Sequence, residues 1–175
     1  GHDATIFADG SALTVADAVA ATANLSIADG DDATSGQFTE GEYVKFIATD
    51  GTVGIFILAD SSETGAVSSG TVLSATSDLG TGVPSASLLA QGTCVAVTTN
   101  LNTTTQAGVL NEIRDVVGSA NSPLLNKISG AAGTVSGDGT KSILFTQAVP
   151  GTPGHTVTTT DISQLTAADF ASGVD

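Results

Sequence analysis

The chain has 175 residues, enough for one compact core, and it carries 18 acidic against 4 basic residues for a formal net charge of −14. Phosphate backbones and anionic lipids are gripped through clustered Lys and Arg; Lys45, Arg114, Lys127 and Lys141 are widely spaced, so charge argues against nucleic acid and against a membrane surface. Aromatic residues make up 4% and there is no Trp or Met, so Ala, Val, Ile and Leu carry most of the hydrophobic fraction, as in a closely packed, strand-rich core.

In chain order, "ATIFADGSALTVADAVAATANLSIADGDD" from residue 4 has turn signals at Asp9-Gly10 and Asp29-Gly30. Between them, Thr14 and Asp17 suit the start of a short helix containing Val15, Ala18 and Val19, with a strand as the alternative. Residues 1–28 therefore read as an N-terminal arm or short strand or helix segment, and 29–175 as a single domain. In "EYVKFIATDGTVGIFILAD", residues 42–60, two β-rich runs flank Asp50-Gly51, which predicts a hairpin. Residues 61–92, rich in Ser, Thr and Gly, predict one or two short strands in long loops. "TCVAVTT", residues 93–99, predicts a strand with Cys94, Ala96 and Thr98 opposite Val95 and Val97.

One amphipathic helix is predicted over about 104–117: Ala107, Leu110, Ile113 and Val117 recur at helical spacing, and Thr103 with Gln106 has capping-box spacing. "LLNKISG", "KSILFTQ" and "HTVTTTD" complete the strand-like runs. Strands around one helix predict an α+β fold, a mainly antiparallel sheet or sandwich with that helix packed on it.

Chemistry is thin. A hydrolytic triad needs a nucleophile, a histidine and an acid in contact, and of the two histidines His2 is terminal while His155 sits in the turn "AVPGTPGH". Cys94 lies in an apolar run and reads as a buried hydrophobe; one cysteine and two distant histidines make no zinc framework. No phosphate-binding loop, transmembrane-length run or signal-peptide pattern occurs. Asn24 and Asn102 head glycosylation sequons. Asp29, Asp31 and Asp32 around Gly30 offer calcium-type ligands, but the closing Glu of an EF-hand loop is missing, which favours a solvated acidic turn. No catalytic residue, metal ligand or cofactor is thereby assigned.

The C-terminal stretch "LFTQAVPGTPGHTVTTTD", followed by "LTAADFASG", resembles the second half of a domain found in structural proteins of tailed bacteriophages. That family has a strand ending in Thr-Gln, a Gly-x-x-Gly-Asn corner, a Thr-rich strand and a closing Phe-x-Gly-Gly. Here the corner is Gly151-Thr152-Pro153-Gly154 with His155 at the Asn position, and the close is Phe170-Ala171-Ser172-Gly173. The upstream hairpin and helix are similar in order, so the resemblance spans about 25–173. It implies no catalytic residues. It implies a virion component, a capsid decoration protein or a tail or fibre subunit, that partners major capsid or tail proteins and forms homo-oligomers such as trimers. Residues 61–92 and the segment before Asp29 would make the contacts. A surface adhesin that grips a host glycan or protein through Tyr43 is the alternative; a glycan-cleaving enzyme would need two carboxylates in a cleft, and no spacing singles out a pair.

The calcium question has a direct check. If Asp29, Asp31 and Asp32 form an ordinary turn, the melting temperature is the same in chelator and in added calcium; a site present only in the folded state raises it with calcium.

Overall fold

The structure is a computed structural model and describes residues 17–27, 37–131 and 141–175. The expected hairpin pairs Tyr43–Ile47 (β2) with Val53–Asp60 (β3), from Tyr43↔Ile57 to Ile47↔Val53. Its turn works as the sequence requires: Gly51 adopts φ 83°, and Asp50 Oδ1 accepts from the Thr52 N–H at 3.0 Å. On its other side β3 pairs in parallel with Thr93–Thr99 (β5), from Gly54↔Thr93 to Asp60↔Thr99. Edge strands Val72–Leu73 (β4) and Thr159–Thr160 (β8) complete a sheet in the order β4-β5-β3-β2-β8.

A parallel pair requires a long crossover, and residues 61–92 supply it, with β4 and the short helix Ala86–Leu89 (α1) along the way. The crossover also covers the outer face of this sheet. Ile55, Ile57, Ala59, Cys94 and Ala96 on that face pack with Leu73 and Leu79, and with half-buried Val67, Val83, Leu88 and Leu89. Both faces of β3 are thus buried, which accounts for its unbroken apolar run. The segment expected to reach out to neighbouring proteins is in part a lid over the chain's own core.

A second sheet runs Ile128–Gly130 (β6), Lys141–Pro150 (β7), Ala20–Ile27 (β1) and Leu165–Ala167 (β9), in the order β6-β7-β1-β9 and antiparallel throughout. Ala20–Ile27, assigned above to an N-terminal segment apart from the main domain, is an inner strand of this sheet. Ala21, Ala23, Leu25 and Ile27 point inward while Thr22, Asn24 and Ser26 point out, a period of two that a helix could not use. The fold is therefore β-rich α+β and mostly antiparallel; among the described strands, β3–β5 is the parallel pair.

The two sheets meet over a core in which Phe46 is central: its ring centroid lies 4.8 Å from Phe145, 6.0 Å from Phe170 and 6.1 Å from Phe56. Helix Gln106–Val117 (α2) adds Val109, Leu110, Ile113, Val116 and Val117 to this core. The helix starts later than its spacing suggested, and the Thr103–Gln106 box does not form. Thr105 is the N-cap, accepting from the Gly108 N–H at 3.1 Å, while Gln106 Nε2 turns to Gln37 Oε1 at 2.9 Å. Likewise "LLNKISG" and "HTVTTTD" contribute only three and two strand residues, because their flanks serve turns and side-chain bonds rather than ladders.

One polar side chain crosses from sheet to sheet. Gln147 on β7 is 1% exposed; its Nε2 donates to the Ile47 carbonyl at 2.9 Å and to Thr156 Oγ1 at 3.1 Å, and its Oε1 accepts from the Thr49 N–H and hydroxyl at 3.2 Å each. Replacing it by Leu keeps the volume and orphans buried partners, which costs about 2–3 kcal/mol and lowers the melting temperature by about 4–12 °C. Thermal denaturation of Gln147→Leu checks this.

Candidate functional site

The stretch that carries the family resemblance folds into a clasp at one end of the molecule. After β7, Gly151 turns the chain at φ 108°, a conformation open to glycine, and Thr152–Gly154 form a single 3-10 turn. Gly154 lies against Ala21 and Gln147, where an added Cβ would stand 3.1 Å from the Ala21 methyl. Thr156 then donates its hydroxyl to the Ile47 carbonyl at 2.6 Å, beside Gln147.

The C-terminal strand closes on this turn. His155 Nε2 accepts from the Gly173 N–H at 2.9 Å and stands 3.2 Å from the Gly173 carbonyl. Gly173 lies so close to the Gly151 carbonyl that a Cβ there would come within 2.5 Å of its oxygen. Asp175 accepts from the Thr152 N–H at 3.0 Å and hydroxyl at 2.7 Å, and these bonds hold its carboxyl below the usual carboxylate range. Phe170, three residues before Gly173, is buried in the core beside Phe46. His155 is therefore a backbone clamp, and among the described residues its ring bonds the Gly173 backbone rather than a nucleophile.

The remaining acids with shifted behaviour are also structural acceptors. Asp60, 9% exposed at the end of β3, accepts from the Ser62 N–H at 2.9 Å, the Leu101 N–H at 3.3 Å and Asn102 Nδ2 at 3.1 Å. Led by the Ser62 bond, these donors lower its pKa against the opposing effect of burial. Asp78 is lowered by the Ala75 and Ser74 N–H groups, at 2.8 and 2.7 Å, and Asp50 by its ion pair with Lys127 at 2.7 Å.

Three shallow cavities remain as binding candidates. A cavity of about 690 Å³ between α2 and β6 is lined by Arg114, Asp115, Leu125 and Asn126 among others, but Arg114 is already held by Asp115 at 2.7 Å and Asn111 at 2.9 Å. A second, of about 320 Å³, is acidic, with Glu40, Glu63 and Asp78 on its wall. The third, of about 310 Å³, collects Tyr43, Ser85, Ser87, Gln91 and Asp161. Among the described residues, no group of three or more His, Cys, Asp or Glu side chains is placed to hold a metal.

The sequence candidates are thus dispersed. Asp29, Asp31, Asp32 and His2 lie outside the described residues. Cys94 is buried and burial pushes its thiol pKa up, the reverse of an activated nucleophile. Asn24 is exposed on β1, whereas Asn102 is bonded to Asp60. What residue chemistry missed is the pairing role of Gln147 and Asp60. A signal existed for the first: Gln147 occupies the inward parity of β7, with Ile143 and Phe145. No helix of the described residues is long and apolar enough to cross a membrane. No family model, curated protein or solved structure matches the chain.

These carboxylates set an acid limit. Each folded-state pKa lies below its unfolded value, so the contribution is complete above about pH 4–5 and is lost as pH falls through the unfolded value near ~3.9 toward the folded one. A melting temperature flat above about pH 5 and falling below about pH 4 is expected. Asp60→Asn, which keeps an acceptor for the Ser62 and Leu101 N–H groups but turns a donor toward Asn102 Nδ2, loses about 1–3 kcal/mol at neutral pH and shows a shallower acid loss, measurable by urea denaturation across pH.

Proposed function

We propose that the chain is a non-enzymatic structural protein of a tailed-bacteriophage particle, a capsid decoration protein that works by self-assembly and by contact with coat proteins on the virion surface. The observation that carries this reading is the convergence of the resembling motifs. Thr-Gln, Gly-x-x-Gly, His155 and the closing Phe-x-x-Gly are up to 26 residues apart, yet Gln147, Gly151, Gly154, His155, Phe170 and Gly173 join in one clasp. Short motifs that share one structural task support kinship with that domain more strongly than the same letters scattered over a surface.

The acidic surface fits a particle component that must stay soluble before assembly. The clearest carboxylates and the lone turn histidine serve as structural acceptors, which agrees with a protein that acts through its surfaces. A second reading, a tail-fibre or adhesin module, is favoured by the third cavity. There half-buried Tyr43 stands among serine hydroxyls, an amide and a carboxylate, the chemistry that recognises a sugar.

Mixing the purified chain with assembled heads of the phage whose capsid gene lies nearest to its own separates the two. Saturable binding that raises the heat resistance of the heads is expected. Failure to bind heads, together with glycan binding lost in Tyr43→Ala, would replace decoration by the adhesin reading.

A further inference from the structure

We infer that the outer face of the β6-β7-β1-β9 sheet is a self-association surface, on which a second copy of this chain packs face to face about a two-fold axis. The inner face of this sheet is in the core, but among the described residues nothing covers the outer one. Its central rows are the cross-strand pairs Thr22↔Thr146, Asn24↔Leu144 and Ser26↔Ser142. Asn24 and Ser142 are exposed, and Leu144 is 46% exposed, a large aliphatic side chain in the middle of the face.

Charge identifies the occupant. The chain holds 18 acidic and 4 basic residues, yet no outward position of these four strands carries a charge. The carboxylates bordering the face are already engaged: Asp169 after β9 accepts from the Thr158 N–H at 2.8 Å, and Asp115 beside β6 is paired with Arg114 at 2.7 Å. On the opposite side of the molecule, the lid over the other sheet brings Glu63 and Asp78 together with Glu40 around one cavity. A basic partner would seek that acidic side. Two copies of a −14 chain instead need a place to meet without opposing carboxylates, and this face provides it. Its chemistry is also self-complementary, since Ser and Thr hydroxyls and the Asn amide each both donate and accept.

Size sets the strength. Outward positions 142–148 span about 20 Å at the strand rise, and four strands spaced about 4.8 Å apart give a face on the order of 400 Å² per copy. A total near ~800 Å² is that of a weak, transient pair. Such a contact matters where copies are concentrated on a particle, so the inference rests on the assembly reading above. Identical faces meeting about a two-fold close at a dimer, whereas the resemblance implied trimers.

Sedimentation velocity of the full chain from about 10 µM to about 1 mM should show reversible monomer–dimer exchange, with at least about tenfold weaker association in the Asn24→Asp/Leu144→Asp variant. Both positions are exposed, but the two aspartates face each other across β1 and β7 and repel, so cooperative unfolding with a modestly lowered melting temperature verifies the variant's fold. In parallel, Asn24→Cys should be trapped as a dimer by a short bis-maleimide, and Ser87→Cys, exposed on the far side, should not. A dimer indifferent to the two aspartates, or a trimer, overturns the assigned surface and leaves assembly standing. An unreactive Cys at position 24 shows that the chain covers its own face and overturns it too. A chain that stays monomeric and untrapped at every concentration but binds phage heads removes this inference alone, and one that also fails to bind heads removes the assembly reading with it.

Discussion

The register between the two sheets is directed by a buried amide, Gln147. Hydrophobic contact across a sandwich is non-directional, and a core with few aromatics and no Trp gives little to distinguish one sliding position from the next. Gln147 supplies direction: three bonds tie β7 to the end of β2 and to the turn that follows it, a fourth reaches Thr156, and Thr156 donates to the same Ile47 carbonyl. A buried amide is tolerated only when its partners are all present, so the corner that places Thr156 has to be right before the sheets can lock. This explains the glycines at 151, where φ is 108°, at 154, pressed against the Ala21 methyl, and at 173, where the Gly151 carbonyl leaves no room for a side chain.

That dependence runs to the C-terminus. Phe170 enters the core beside Phe46, Gly173 lies on Gly151, and Asp175 caps Thr152. The last residues are therefore part of the sandwich and not a tail. The first described strand is equally central: β1 lies between β7 and β9, and Val19 bonds both Val174 and Gly151. Contacts far apart in sequence dominate the fold, so the first and last described strands both contribute to closing it.

How much of this could be read from the residues depends on where the signal lies. The β2–β3 hairpin was legible because Asp50-Gly51 is local turn chemistry, and α2 because its apolar face repeats within twelve residues. The opposite facing of Cys94 and Ala96 to Val95 and Val97 followed from parity, and the two pairs do enter different clusters. The parallel β3–β5 pairing was not legible, because it depends on a crossover whose apolar residues, Leu73, Leu79 and Leu88, are scattered among Ser, Thr and Gly. Thr105 takes the cap in place of Thr103 because the Thr103 and Thr104 N–H groups bond the Asn100 carbonyl in a turn before the helix, a contact spacing alone does not show. At the clasp, the turn could be foreseen, but its partner at Gly173 could be seen only in three dimensions.

The two sheets divide the molecule's relation to its surroundings. One is enclosed on both faces, and the crossover that encloses it carries Glu63 and Asp78 outward to a cavity shared with Glu40. The other turns a hydroxyl- and amide-bearing face outward, and its uncharged character is not forced by folding, since Lys or Glu at positions 24, 142 or 144 would satisfy the same outward parity. Stability does not require that neutrality. In a chain of this net charge, screened only over about 8 Å at physiological salt, an uncharged sheet face is the natural place for close approach between like molecules, and the acidic side keeps other approaches apart.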